Sequence, residues 1–228
     1  DGGVHAHTSH LKAICDICKA AGLENVFIHA FTDGRDTDPK SGFGFIENVE
    51  NHLASSVGKI ATVSGRYFAM DRDKRWERVK LAYDAIVHAS GPTADSALEA
   101  IKENYKIDIT DEFIKPTIIT KNGAPIATIK EDDAVLCFNF RTDRCREITE
   151  VLSQKDFPEF GMKKLKGCSD KSFQTLSILG CMYSWICSLV SSGKLVSSAC
   201  RIVSQMPMNG EFLFKYFVSS ADCSFLTI

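Results

Sequence analysis

At 228 residues, with 44% hydrophobic and 25% charged side chains, the chain has the composition of an ordinary soluble globular protein, able to bury a core in one domain or two. Its net charge of −2 excludes a general nucleic-acid binder, whose balance is plainly basic. No charged-then-apolar leader precedes the first helix-like stretch, and the first residue is Asp1 rather than Met, so the numbering is expected to start inside a longer polypeptide.

Thr8 or Ser9 can cap a first helix with apolar positions Leu11, Ile14, Cys15 and Cys18 and a stop at Gly22. The compact run Val26 to Phe31 reads as a buried strand, followed by a polar loop from Thr32 to Gly42. Phe45, Ile46, Val49 and Leu53 mark a second helix, and Lys59 to Val63 a second strand ending at Ser64-Gly65. From about Asp73 a third helix carries Trp76, Val79, Tyr83, Ile86 and Val87 on one stripe, and Thr93 or Asp95 starts a fourth. Thr117–Thr120 and Ile126–Ile129 flank Lys121-Asn122-Gly123-Ala124-Pro125, a hairpin signal. Ala134 to Phe140 is the strongest strand pattern, and a helix begins near Thr142 or Asp143. Strands alternating with helices predict an α/β fold, a mostly parallel sheet flanked by helices.

The composition changes after Leu165. Of 27 Lys and Arg and 29 Asp and Glu, only eight fall in residues 166–228, which hold five of the nine cysteines and no histidine. Residues 1–165 are therefore expected to form one domain and 166–228 a divergent low-charge tail of uncertain fold. Leu176 to Val190 is apolar but shorter than the roughly 20 residues of a spanning helix, so no membrane association is expected. Cys15 and Cys18 form a CxxC that no second pair answers. Buried thiols in a reducing compartment are the expectation for the cysteines.

Polar, multiply charged loops follow three strand patterns: Thr32–Asp38, Ser64–Arg72 and Arg141–Arg146. The Gly- and His-rich segment Asp1–His7 precedes a helix. If the strands are parallel, all four open on one sheet edge, where α/β proteins bind ligands. They would bring together Arg35, Arg66, Arg72, Arg141 and Arg144, with His5 and Asp36 as proton-handling groups. Converging arginines repel unless an anion fills the space, and guanidinium forks match phosphate and carboxylate oxygens. The competing reading pairs these arginines with Asp33, Asp36, Asp71, Asp73 and Asp143 in surface salt bridges worth little each. His5 and His7 form an HxH, a metal pair only if further ligands exist, and none has recognisable spacing. His10, His29, His52 and His88 read as structural or surface residues. Arg75 and Arg78 read as a solvated helix face.

Four stretches in register, Asp1–His7, His29–Pro39, Ser64–Val79 and Phe138–Arg144, resemble the 2,3-bisphosphoglycerate-independent phosphoglycerate mutases over about residues 1 to 160. The resemblance implies the inserted substrate-binding (phosphotransferase) domain of an alkaline-phosphatase-superfamily enzyme that interconverts 3-phosphoglycerate and 2-phosphoglycerate in glycolysis. It implies His5, Arg35, Asp36, Arg66, Arg72, Arg141 and Arg144 as substrate-binding residues, with Asp36 moving protons between the 2- and 3-hydroxyl groups. It implies two manganese ions and a phosphorylated serine in the full-length enzyme, neither matched by residues of this chain, so no bound metal and no turnover by these residues alone are expected. A cytoplasmic monomer without nucleic-acid or membrane partners goes with it. A non-catalytic phospho-ligand binding module, and a standalone metal-dependent phosphatase using His5 and His7, stay open as alternatives.

Overall fold

A computed structural model describes residues 2–166 and the strand Cys223–Thr227. Helix α1 (Thr8–Ala20) is followed by β1 (Val26–Thr32), α2 (Gly42–Leu53), β2 (Lys59–Gly65), the single turn α3 (Arg66–Ala69) and α4 (Trp76–Tyr83), which runs on through a π-helical turn, Asp84–His88. Next come β3 (Thr93–Ala94), α5 (Ala97–Lys106), the 3-10 turn Asp111–Phe113, β4 (Thr117–Lys121), β5 (Ala124–Pro125), β6 (Ala134–Cys137) and α6 (Thr142–Thr149). The last strand, β7, is Cys223–Thr227.

The sheet order is β3-β4-β2-β1-β7-β6, with β5 paired to β4. β1 runs parallel to β2 and to β7, and β6 parallel to β7, while β2 and β4 are antiparallel. The loops after β1, β2 and β6 therefore leave the same sheet edge, as the alternating sequence pattern predicts.

Side chains alternate across the pleat. Leu136 and Phe138 join one buried cluster with Leu11, Ile14, Val49 and Ile101 from α1, α2 and α5. Val135 and Cys137 face the other, with Val79, Tyr83 and Ile148 from α4 and α6. Helices cover both faces, which is why β1 and β6 read as near-continuous apolar runs rather than alternating ones. Cys15, Cys18, Cys137 and Cys145 are buried in these layers and form no disulfide.

Several local expectations are corrected. The α1 cap is His7, whose ring nitrogen accepts the Ser9 amide at 3.2 Å, rather than Thr8 or Ser9. Thr93 lies in β3, and Ser96 caps α5 by accepting the Glu99 amide at 3.1 Å. The hairpin is tighter than the pattern implied: Ala124–Pro125 pairs back onto Thr120–Lys121, and Asn122 and Gly123 both have positive φ, as a two-residue primed turn requires. β6 stops at Cys137 because Phe140 turns its amide onto the His5 carbonyl at 2.7 Å, outside the ladder. Within 166–228, Cys223–Thr227 is a sheet strand; the apolar run Leu176 to Val190 lies outside the described residues. Among the described residues no helix is long and apolar enough to cross a membrane.

Candidate functional site

Each loop at this edge ends a strand and carries polar side chains back over it. The loop after β1 folds on Asp33, whose Oδ1 accepts the amides of Arg35 and Asp36 at 3.1 and 3.0 Å. This Asx-type turn aims Asp36 toward His5 and Arg66. Arg66 Nη1 donates to Asp33 Oδ1 and to Asp36 Oδ2, both at 2.6 Å, and its side chain is only 3% exposed. Asp36 Oδ2 also lies 2.7 Å from His5 Nε2. Hydrogen bonds from Arg66 and His5 hold the Asp36 carboxyl down to about 2, so it is a carboxylate at neutral pH. Burial pushes His5 below the usual imidazole value, despite Asp36, which favours the neutral ring. With Nε2–H donated to Asp36, Nδ1 is a lone pair, and it is buried without a partner.

A second group gathers where the loop after β2 meets the start of α6. Asp143 Oδ2 accepts from Arg72 Nη1 and from Arg141 Nη2, both at 3.0 Å. Arg144 Nη1 donates to the Met70 carbonyl at 3.2 Å, while its Nε is buried and unpartnered. Burial, then the charges of Arg66, Arg72 and Arg141, push the Arg144 guanidinium below its usual value. Four arginines thus converge from the two segments that follow β2 and β6.

The structure thus brings His5, Asp36, Arg66, Arg72, Arg141 and Arg144 to one edge. Arg35 stands at the rim, with its side chain 66% exposed and Nη1 3.5 Å from Glu112 Oε1. The competing salt-bridge reading is half right: Asp33, Asp36 and Asp143 do pair with these arginines, but Asp33–Arg66 is largely buried rather than a surface contact. Arg78 is not on a solvated face. It stacks 3.7 Å over the Tyr67 ring and lies 3.7 Å from Asp71 Oδ1. Arg75 is exposed, as expected. His29 is fully buried with Nδ1 3.0 Å from Thr62 Oγ1, and His52 pairs with Asp16 on the surface.

His5 and His7 diverge to separate partners, so the HxH is not a ligand pair. His5, Asp33 and Asp36 do place three donor atoms within 4.8 Å of one another, a set that could hold a metal ion. The cation binding the two carboxylates in the structure is Arg66, however, and a metal would have to displace it. These residues do not fit a resident ion while Arg66 is in place.

Sequence reasoning missed Asp111. It is buried, its backbone carbonyl accepts from Thr32 Oγ1 at 2.7 Å, and Oδ2 accepts the Gly42 amide at 2.7 Å. It fixes the foot of the Arg35–Asp36 loop. Its partners lie far away in sequence, so no local motif announces it.

Residues 1–182 match the family model described as BPG-independent PGAM N-terminus, a match that runs past Leu165. Similar curated proteins are 2,3-bisphosphoglycerate-independent phosphoglycerate mutases. That of Parabacteroides distasonis is 51% identical over 186 residues, spanning 78% of this chain and 37% of the relative. That of Clostridium tetani is 55% identical over 167 residues, spanning 73% and 33%. A solved structure of Leishmania mexicana phosphoglycerate mutase, determined at low cobalt concentration, aligns with a TM-score of 0.67 and 33% identity, over 73% of this chain and 33% of that one. The chain thus spans about a third of the length of the relatives it matches.

Proposed function

The chain belongs to the 2,3-bisphosphoglycerate-independent phosphoglycerate mutase family, and from that premise we propose that residues 1–165 form the unit that grips 3-phosphoglycerate and 2-phosphoglycerate during their interconversion. The observation that carries this reading is Arg144: a guanidinium with a buried, unpartnered Nε, crowded by Arg66, Arg72 and Arg141. A ligand bearing both phosphate and carboxylate would satisfy that nitrogen and neutralise the excess of cations. Arg72, Arg141 and Arg144 hold the anionic groups, and Arg35 closes on them from the rim.

Asp36 and His5 handle the protons. The hydroxyl that receives the phosphoryl group must lose a proton, and the one that releases it must gain one. An Asp36 carboxylate held down to about 2 is a weak base by itself. We assign the task to the His5–Asp36 pair, in which the unpartnered imidazole nitrogen is the better resting place for a proton near neutral pH. Phosphoryl transfer itself is assigned to parts of the full-length relatives that this chain does not span, manganese included. The 228 residues assayed by themselves are expected to bind without turnover. A cytoplasmic monomer, with no nucleic-acid or membrane partner, completes the proposal.

The test is calorimetric titration of the 228-residue chain with 3-phosphoglycerate. Loss of a charged hydrogen-bond donor is worth about 1.5–3 kcal/mol, so Arg144→Ala should weaken binding about 10- to 100-fold. Equal affinity in wild type and variant would sink the assignment.

A further inference from the structure

Lys74 is held at φ 58°, in the left-handed region that a lysine seldom adopts. Its amide donates to Glu147 Oε1 at 2.8 Å. It belongs to the turn 70–75, which carries Arg72 and is closed by Asp71, whose Oδ2 accepts the amides of Asp73 and Arg75 at 3.0 and 2.9 Å. Glu147 stands on α6, one turn after Arg144, and Arg144 itself reaches the Met70 carbonyl. The turn and the helix are therefore joined on both sides of the two arginines.

Glu147 and Asp71 are each 5% exposed, although both are acids. Glu147 Oε2 is buried and has no donor. The Asp71 carboxyl lies within interaction range of the Glu147 carboxyl. Two carboxylates only accept and repel each other, whereas one proton between them makes a donor and an acceptor and leaves a single negative charge.

We propose that Glu147 and Asp71 share one proton, and that this carboxyl pair positions Arg72 and Arg144 for the anionic ligand; the proposal rests on the binding role given above. Burial, with Asp71 and Asp73 close by, pushes the Glu147 carboxyl up to about 7. The other charges around the pair are Lys74 on the turn, Arg78 of α4 at 3.7 Å from Asp71 Oδ1, and Arg144 and Arg146 on Glu147's own helix. Because the folded value lies above the ordinary 4.5, the folded state holds the extra proton between the two values. The joint is closed below about pH 7 and weakens as pH rises through it. Once it opens, two buried negative charges face each other, the amide that holds Lys74 in its strained conformation loses its anchor, and Arg72 leaves its place.

Glu147→Gln separates this from a merely structural role. Its amide NH2 can donate to Asp71 while its carbonyl accepts from the Lys74 amide, reproducing the protonated acid at every pH. Titrations with 3-phosphoglycerate from about pH 6 to about pH 8 should show wild-type affinity falling about tenfold relative to Glu147→Gln, the fall expected when the binding-competent fraction drops to about a tenth. The ligand phosphate and His5 titrate alike in both proteins, so the ratio isolates the pair. Parallel pH profiles overturn the proposal. Amide exchange of Lys74 in ligand-free protein, read by NMR, gives a second measure. Protection should fall above about pH 7 in wild type and persist in Glu147→Gln, and equal protection in both overturns the pair whether or not ligand binds. Loss of protection in wild type with no 3-phosphoglycerate binding at any pH would uphold the shared proton and overturn the positioning role together with the binding role.

Discussion

Arg66 carries more of the local structure than any other site residue, because one guanidinium nitrogen serves two carboxylates. Removing one partner of a buried ion pair leaves uncompensated charge and costs about 3–5 kcal/mol. Arg66→Ala should therefore lower unfolding stability by that order in a urea titration, with Asp33 and Asp36 left facing each other. A loss below about 1 kcal/mol would show that solvent already screens the pair. The same contacts set the acid limb. Asp36 is held down to about 2 in the folded chain against an ordinary value of 3.8. Its contribution is present above about pH 4 and is lost as pH falls toward about 2, since only the unfolded state takes up the proton in that window. Unfolding free energy measured across this window should fall less steeply in Arg66→Ala than in wild type; identical slopes would remove Arg66 as the cause.

At the scale of elements, the site depends on how closely the 3-10 turn Asp111–Phe113 approaches the strand ends. The Gly65 amide donates to the Ile114 carbonyl at 2.7 Å, and a Cβ at Gly65 would run into the Glu112 carbonyl and lie 2.7 Å from that of Asp111. Gly65→Ala must push the turn and β2 apart, an overpacking change of about 1–3 kcal/mol. Because Arg66 is the next residue, the melting temperature and 3-phosphoglycerate affinity should fall together. An unchanged affinity would mean that the backbone here does not place Arg66. This contact also marks the limit of what the sequence conveys. The strand-end loops with Arg35, Arg66, Arg141 and Arg144 were legible, because an apolar run followed by clustered charges is a local pattern. Asp111 and Glu147 were not. Their partners, Gly42 and Lys74, lie 69 and 73 residues away, so their meaning arises only when the chain folds. Arg78 misled for a related reason: a charged residue on an amphipathic helix gives no sign that an aromatic ring such as Tyr67 waits beneath it.

Across the whole molecule, the two halves of the site hang on different parts of the sheet. Arg35 and Arg66 follow β1 and β2, which pair directly. Arg141 and Arg144 follow β6, and among the described strands β6 is joined to the sheet through β7 alone. β7 pairs with β1 over Val26–Ala30 and with β6 over Ala134–Cys137, so its backbone sets the spacing between the two groups of arginines. Composition gave no sign of this, since Cys223–Thr227 is a five-residue run in a low-charge tail. Other ties cross the gap: the Phe140 amide on the His5 carbonyl, Arg144 on the Met70 carbonyl, Arg72 on the Asp143 carboxylate and the Lys74 amide on Glu147. None replaces a strand, because removing β7 leaves facing edges of β1 and β6 with unpaired backbone groups, a costly and aggregation-prone state. A chain ending at residue 222 should therefore melt several degrees lower, self-associate on size-exclusion chromatography, and bind 3-phosphoglycerate at least about tenfold more weakly. The weakening follows because the competent alignment of the two arginine groups is only fractionally populated. A shortened chain that melts, elutes and binds like the full 228 residues would show that β1 and β6 hold their spacing without β7.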